Sequence, residues 1–233
     1  MIMKICVISD VHGLTVWKDI VAKERENVDR FVFLGDYVDD KNGLTSPEEQ
    51  LENLQSIQDF KEEYTHVDLL IGNHDLQYIG GVRCNRFNPR LFDLVQDELM
   101  DMIRKRTLQA CACYDNYLFS HAGISNIWMK EKGMEDYTDI NKQFHTNPLI
   151  LDFVNKINCD GSGNNVYQSP IWIRPDSLDK SALLNYHHVV GHTRIREISI
   201  VELENRKLIF TDTQLRQYLI IDTCIEKEQI IES

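Results

Sequence analysis

Residues Phe31 to Asp40 read FVFLGDYVDD. Four apolar, strand-type residues run into Gly35, and three carboxylates follow at Asp36, Asp39 and Asp40. A compact apolar run that stops at a glycine reads as a buried strand. Carboxylates packed so closely repel one another unless something cationic compensates them. The chain must supply that cation or bind it.

The same pattern recurs on both sides. KICVIS (4–9) is a second buried run and ends in Ser9-Asp10-Val11-His12. HVDLLIG (66–72) ends in Gly72-Asn73-His74-Asp75. YLFS (117–120) ends in Ser120-His121-Ala122-Gly123, and the run at 187–190 ends in Gly191-His192-Thr193. Helical stretches separate the first runs. One covers Thr15–Ala22. SPEEQLENLQSIQDF opens with Ser46 as N-cap, Pro47 in the first turn and Glu49 three residues on, the spacing of a capping box. Asn88 and Pro89 start another, with Leu91, Leu94, Val95, Leu99 and Met102 on its apolar face. Such alternation predicts an α/β sheet with helical cover. Further along, TLQACACY and YLFS read as two strands around a turn at Asp115-Asn116. Residues 136–157 read as mainly helical with a break near Pro148, and 159–165 as a loop. Strands near 198–203, 207–212 and 217–222 read as a C-terminal meander. The absence of a linker, repeat or low-complexity tract predicts one domain over residues 1–233.

Five apolar runs thus deliver carboxylate, imidazole or amide oxygen just past their C-terminal ends. That edge of an α/β sheet is where ligands bind. The donor set suits divalent Mn, Fe or Zn. A lone histidine after a strand is ordinarily structural, but five such placements with glycine beside four of them point to a metal-binding edge. His66, His145, His187 and His188 fit no such pattern and are read as structural. The net charge of −12 argues against a nucleic-acid surface, which wants a basic stripe. No run approaches the roughly 18 apolar residues of a membrane span. Cys6, Cys84, Cys111, Cys113, Cys159 and Cys224 are scattered without a Cys-x-x-Cys pair, which predicts reduced thiols and a cytoplasmic setting.

Taken together, Asp-x-His at 10–12, Gly-Asp-x-x-Asp at 35–39, Gly-Asn-His-Asp at 72–75, Ser-His-Ala-Gly at 120–123 and Gly-His at 191–192 resemble the calcineurin-like metallophosphoesterases. The GDYVD spelling is most similar to the phosphoprotein phosphatase branch with its bacterial and phage members. The resemblance implies a two-sheet β-sandwich flanked by helices, in four αββα layers, with two divalent metal ions. Mn is the expected metal, with Fe, Zn or Ni as alternatives. It implies Asp10 and His12 on the first ion, Asp36 bridging both, and Asn73, His121 and His192 on the second. A hydroxide bridging the ions would be the nucleophile. His74 would protonate the leaving alkoxide and Asp39 would orient His74. The substrate implied is a phosphomonoester, on a protein or a small metabolite. A diadenosine-tetraphosphate-type hydrolase, a phosphodiesterase and a non-catalytic scaffold are the alternatives. Asp40 departs from the family, which usually places a phosphate-gripping arginine there. SPIWIRP (169–175) resembles the Trp-x-Arg segment of phage-type phosphatases, making Arg174 the candidate substitute. Arg86, with Arg83, is a further candidate in GGVRCNRFNPR, and Arg194 and Arg196 follow His192.

Overall fold

The structure, a computed structural model, describes residues 3–157 and 160–233. Cys159, where the expected loop begins, lies outside the described residues. Strands β1 (Lys4–Ile8), β2 (Arg30–Phe33) and β3 (Val67–Leu70) are the three expected runs. They lie side by side and parallel, so all three end at one edge. On their far side β3 pairs in parallel with the short β4 (Leu108–Gln109). The second sheet begins at β5 (Cys111–Tyr114), antiparallel to β6 (Tyr117–Ser120). Strand β7 (His187–Val190) is parallel to β6, so the ends carrying His121 and His192 also share an edge. Antiparallel β8 (Ser199–Leu203) and β9 (Arg206–Phe210) complete that sheet, with β9 parallel to β7. The chain then returns to the first sheet, where β10 (Gln217–Asp222) lies antiparallel to both β1 and β11 (Lys227–Glu232).

Two expectations about the strands are corrected. TLQACACY is not one strand. It crosses between sheets at Ala110, where the ladder has to break. The side chain of Asn141 stands in for the missing partner: its Oδ1 accepts from the N–H groups of Ala110 and Cys111 at 2.8 and 3.2 Å, and its amide donates to Cys111 O at 2.8 Å. The C-terminal strands are not a meander either. The β8–β9 hairpin stays in one sheet while β10 and β11 belong to the other, and β11 was not anticipated.

Helices α1 (Val16–Glu24), α2 (Pro47–Glu63) and α4 (Pro89–Arg104) cover the first sheet, and a single turn, α3 (Asn73–Leu76), follows β3. The starts are those expected: Ser46 and Glu49 form the reciprocal capping box, and Asn88 accepts from the N–H groups of Arg90 and Leu91. Helices α5 (Asn126–Glu131), α6 (Tyr137–Thr146) and α7 (Pro175–Ser181) pack on the second sheet. Residues 152–157, expected as helix, are irregular. Alternation along the strands builds the layers. Ile5, Val7, Val32 and Leu70 meet Phe119, Val189 and Ile209 between the sheets. Cys6, Ile8, Phe31 and Phe33 face Trp17, Ile20, Leu54, Ile57 and Phe60 of the helices. The architecture is α/β, two mixed sheets in a sandwich flanked by helices. The five cysteines among the described residues are free thiols. Among the same residues, no helix is long and apolar enough to cross a membrane.

Candidate active site

The ends of β1, β2 and β7 turn sharply where their candidate residues stand. Asp10, His12, Asp36, Asp39 and His192 all have positive φ, between 44° and 66°. That region is unfavourable for residues with a Cβ, and such strain persists only where the surroundings fix it. Here the loops bond to each other: His12 N–H donates to Asp36 O at 2.7 Å, Gly13 N–H to Tyr37 O at 2.8 Å, and Gly191 N–H to His121 O at 2.8 Å. Two glycines allow the close approach. A Cβ on Gly72 would lie 2.1 Å from Asp36 Oδ1, and one on Gly191 would lie 2.0 Å from Asp10 Oδ2.

All six candidate ligands converge there; Asp10, His12, Asp36, Asn73 and His121 are buried and His192 is half-buried. His12 is bonded through Nδ1 to Val38 O at 3.0 Å, which leaves its Nε2 facing Asp36 Oδ2 at 3.4 Å. Asp10 is pinned by the Ser9 hydroxyl and by the N–H of His192 at 3.1 Å. On the other side of Asp36, His121 is bonded through Nδ1 to Leu34 O at 2.8 Å. Its Nε2 faces Asn73 Oδ1 at 3.0 Å and Asp36 Oδ1 at 3.5 Å. His192 Nδ1 lies 2.9 Å from the same Asn73 oxygen. Asn73 is oriented by its amide, which donates to Cys84 Sγ at 3.2 Å. Burial holds the imidazoles of His12, His121 and His192 below their ordinary pKa, His12 at about 3. Burial, Asp212 and Asp36 push the Asp10 carboxyl up. A neutral His121 donating through Nδ1 turns a lone pair toward two further acceptors. Acceptors facing acceptors in a buried site call for a cation between them, and neutral imidazole, carboxylate and amide oxygen are its usual ligands. Oxygens of Asp10 and Asp36 and a nitrogen of His121 all lie within 4.8 Å of one another. The donor set fits divalent metal, and the Asp36 carboxylate faces His12 through Oδ2 and His121 through Oδ1.

His74 stands beside these groups, its ring 5.1 Å from that of His12 and its Nδ1 2.7 Å from Asp39 Oδ2. Asp39 is fixed in turn by the Gln77 amide and the Tyr78 hydroxyl. Asp75 ties two loops together, accepting from the N–H groups of Asp36, Tyr37 and Gly72, each at 2.8 Å.

The model of the calcineurin-like phosphoesterases matches residues 3–210. The chain belongs to this family. No curated protein matches it in sequence. The cold-active protein-tyrosine phosphatase of a psychrophilic Shewanella superposes with a TM-score of 0.64 at 18% identity, covering 100% of this chain and 81% of that one. A metallophosphoesterase from Sphaerobacter thermophilus superposes with a TM-score of 0.50 at 16% identity, covering 99% and 87%. At these identities the likeness concerns the fold. The family is metal-dependent, in keeping with the buried Asp and His cluster.

A cavity of about 500 Å³ opens over this cluster, lined by Asp36, Asn73, His74, His192 and a set of cations. Arg174 lines it, bonded through Nη1 to Thr193 Oγ1 and through Nε to Ser162 O, each at 3.1 Å. Arg86 and Arg83 line its outer part, Arg83 lying over Phe87 at 4.1 Å. Arg194 and Arg196 are not among the lining residues. Asp40 turns away, its carboxylate accepting from the N–H groups of Asn42, Leu44 and Thr45. His66, His145, His187 and His188 are bonded within the fold, to the guanidinium of Arg30, the carbonyl of Leu108, the N–H of Lys207 and the carbonyl of Leu183 respectively. Sequence reasoning missed Cys84, Gln77, Tyr78 and Asp75 as supports. Only Asp75 carried a signal, since it closes the Gly-Asn-His-Asp motif.

Proposed function

We propose that this chain is a metal-dependent phosphoesterase that hydrolyses phosphomonoesters in the cavity above Asp36. One observation carries the reading: the Asp36 carboxylate lies between two donor groups, with the hydrogen-bonded pair His74–Asp39 at the cavity wall. Asp10, His12 and Asp36 would hold one divalent ion and Asp36, Asn73, His121 and His192 a second. Such a pair, when bound, activates water and offsets charge on the attacking and leaving oxygens of an in-line displacement. The chain does the rest. Arg174 lies against the same cavity as His74 and offers guanidinium donors to the phosphoryl oxygens. Asp39 holds the Nδ1 proton of His74, which aims the opposite ring nitrogen away from Asp39 as a proton donor to the leaving alkoxide. Trp172 and Phe153, edge to face at 5.2 Å on the cavity wall, favour a second reading, hydrolysis of a dinucleoside polyphosphate whose base they contact.

The test is hydrolysis of p-nitrophenyl phosphate and bis-p-nitrophenyl phosphate with Mn, in wild type and Asp36→Asn, with metal content measured on the same samples. A monoester preference, lost with the metal in Asp36→Asn, supports a phosphomonoesterase. A diester preference replaces it with a phosphodiesterase. Failure of the wild type to bind metal or turn over either ester revives a non-catalytic scaffold.

A further inference from the structure

The family pattern leaves position 40 without its cation, but the loop geometry brings another in. The Asp40 carboxylate is committed to its own turn: Oδ1 accepts from Asn42 N–H at 2.7 Å, and Oδ2 accepts from the N–H of Leu44, from Thr45 N–H at 2.7 Å and from the Thr45 hydroxyl at 3.0 Å. Gln50 of α2 fixes the preceding backbone, its Oε1 accepting from Asp39 N–H at 2.8 Å and Asp40 N–H at 3.3 Å. With residue 40 folded outward, Lys41 lies inward. Its side chain is 18% exposed and lines the cavity beside Asp36, Asn73, His74, Arg174 and His192. Its Nζ lies 3.6 Å from Asp212 Oδ2. Asp212 is wholly buried, and its Oδ2 has no hydrogen-bond partner among the described residues. At that distance the contact is an ion pair and not a hydrogen bond, so the three ammonium donors stay uncommitted to Asp212. A tethered cation with free donors, facing a cavity that also holds a guanidinium, is built for an anion.

We propose that Lys41 grips the phosphoryl oxygens of the substrate, in place of the cation absent at position 40, with Asp212 as the buried counter-ion that positions it. The inference rests on the phosphoesterase reading and deepens it. The alternative is structural: Lys41 neutralises Asp212 and touches no ligand. The two differ in what inorganic phosphate feels. Lysine acts as a point charge without the planar fork of arginine, so Lys41→Arg is not expected to restore full binding.

The experiment is calorimetric titration of inorganic phosphate into Mn-loaded wild type, Lys41→Gln, and the double variant Lys41→Gln/Asp212→Asn. The double variant removes the unpaired buried acid and so guards against misfolding of the single one. Metal content, and KM and kcat on p-nitrophenyl phosphate, are read alongside. Lys41→Gln and the double variant should each weaken phosphate binding about ten- to a hundredfold and raise KM similarly, with metal content unchanged, as expected for a lost charge-assisted contact. Phosphate affinity within about twofold of wild type in either folded variant overturns the assignment, since that is below the energy of one such contact. Loss of metal in step with loss of phosphate overturns it too, because Lys41 would then be supporting the metal cluster. Wild type that loads Mn yet neither binds phosphate nor hydrolyses the ester overturns the phosphoesterase reading, and this inference with it.

Discussion

His74 is partly desolvated, and burial alone would push its imidazole toward the neutral form. The carboxylates of Asp36 and Asp39 outweigh burial and hold its pKa above the ordinary histidine value. The sign matters for the proposed role. A proton donor works only while protonated, so a raised pKa extends activity upward in pH, and activity falls as pH rises through that value. Asp39→Asn removes the carboxylate that supports the proton and is not itself in the proposed metal ligand set. The alkaline limb of the kcat/KM profile should therefore move to lower pH in that variant, and an unmoved limb would mean that Asp39 does not tune His74. His74→Asn should lower kcat by about 10²–10⁴, the size of a general-acid contribution, with metal content unchanged. Single-turnover rates on an ester with a poor leaving group check this. Rates equal to wild type there would remove His74 from the chemistry.

At the scale of elements, the site depends on loops at strand ends being held together, and Asp75 is the fastener between two of them. Its carboxylate accepts three buried backbone N–H groups, two after β2 and one after β3. Asp75→Ala leaves all three without a partner, at about 1–3 kcal/mol for each unsatisfied donor. Urea unfolding of metal-free protein should show a loss of at least about 3 kcal/mol, and a loss below about 1 kcal/mol would mean that the loops hold without it. The contrast with the rest of the fold explains what could be read beforehand. The capping box at Ser46, the Asn88-Pro89 start and the buried parallel strands were legible because each is a local pattern. So were Asp10, His12, Asp36, Asn73, His121 and His192, because parallel pairing gathers strand ends at one edge. The break at Ala110 was not legible: both halves of TLQACACY favour strand, and only Asn141, thirty-one residues on from Ala110, terminates one sheet and opens the other. Lys41 was hidden for a similar reason, since the inward turn depends on contacts that Asp40 makes after folding.

For the whole molecule, the cluster is a joint between the two sheets. Asp10, Asp36 and Asn73 come from the ends of β1, β2 and β3, and His121 and His192 from the ends of β6 and β7. The contacts across this joint set lone pairs against lone pairs, Asn73 Oδ1 against His121 Nε2 at 3.0 Å and Asp36 Oδ1 against the same Nε2 at 3.5 Å. Without a cation these groups repel at the place where the sheets meet. With one they become a crosslink. A metal that binds only the folded chain stabilises it by mass action, by about 2.7 kcal/mol per site at a hundredfold excess over its Kd. For a chain of this length that is a rise in Tm of roughly 5–10 °C per site. Thermal unfolding after exhaustive chelation, repeated with added Mn, should show such a rise. Asp36→Asn should show little of it, because the shared carboxylate is weakened on both sides. A melting temperature that does not respond to chelator or Mn in the wild type would mean that the acidic and imidazole groups are reconciled by protonation, and that the joint holds without metal.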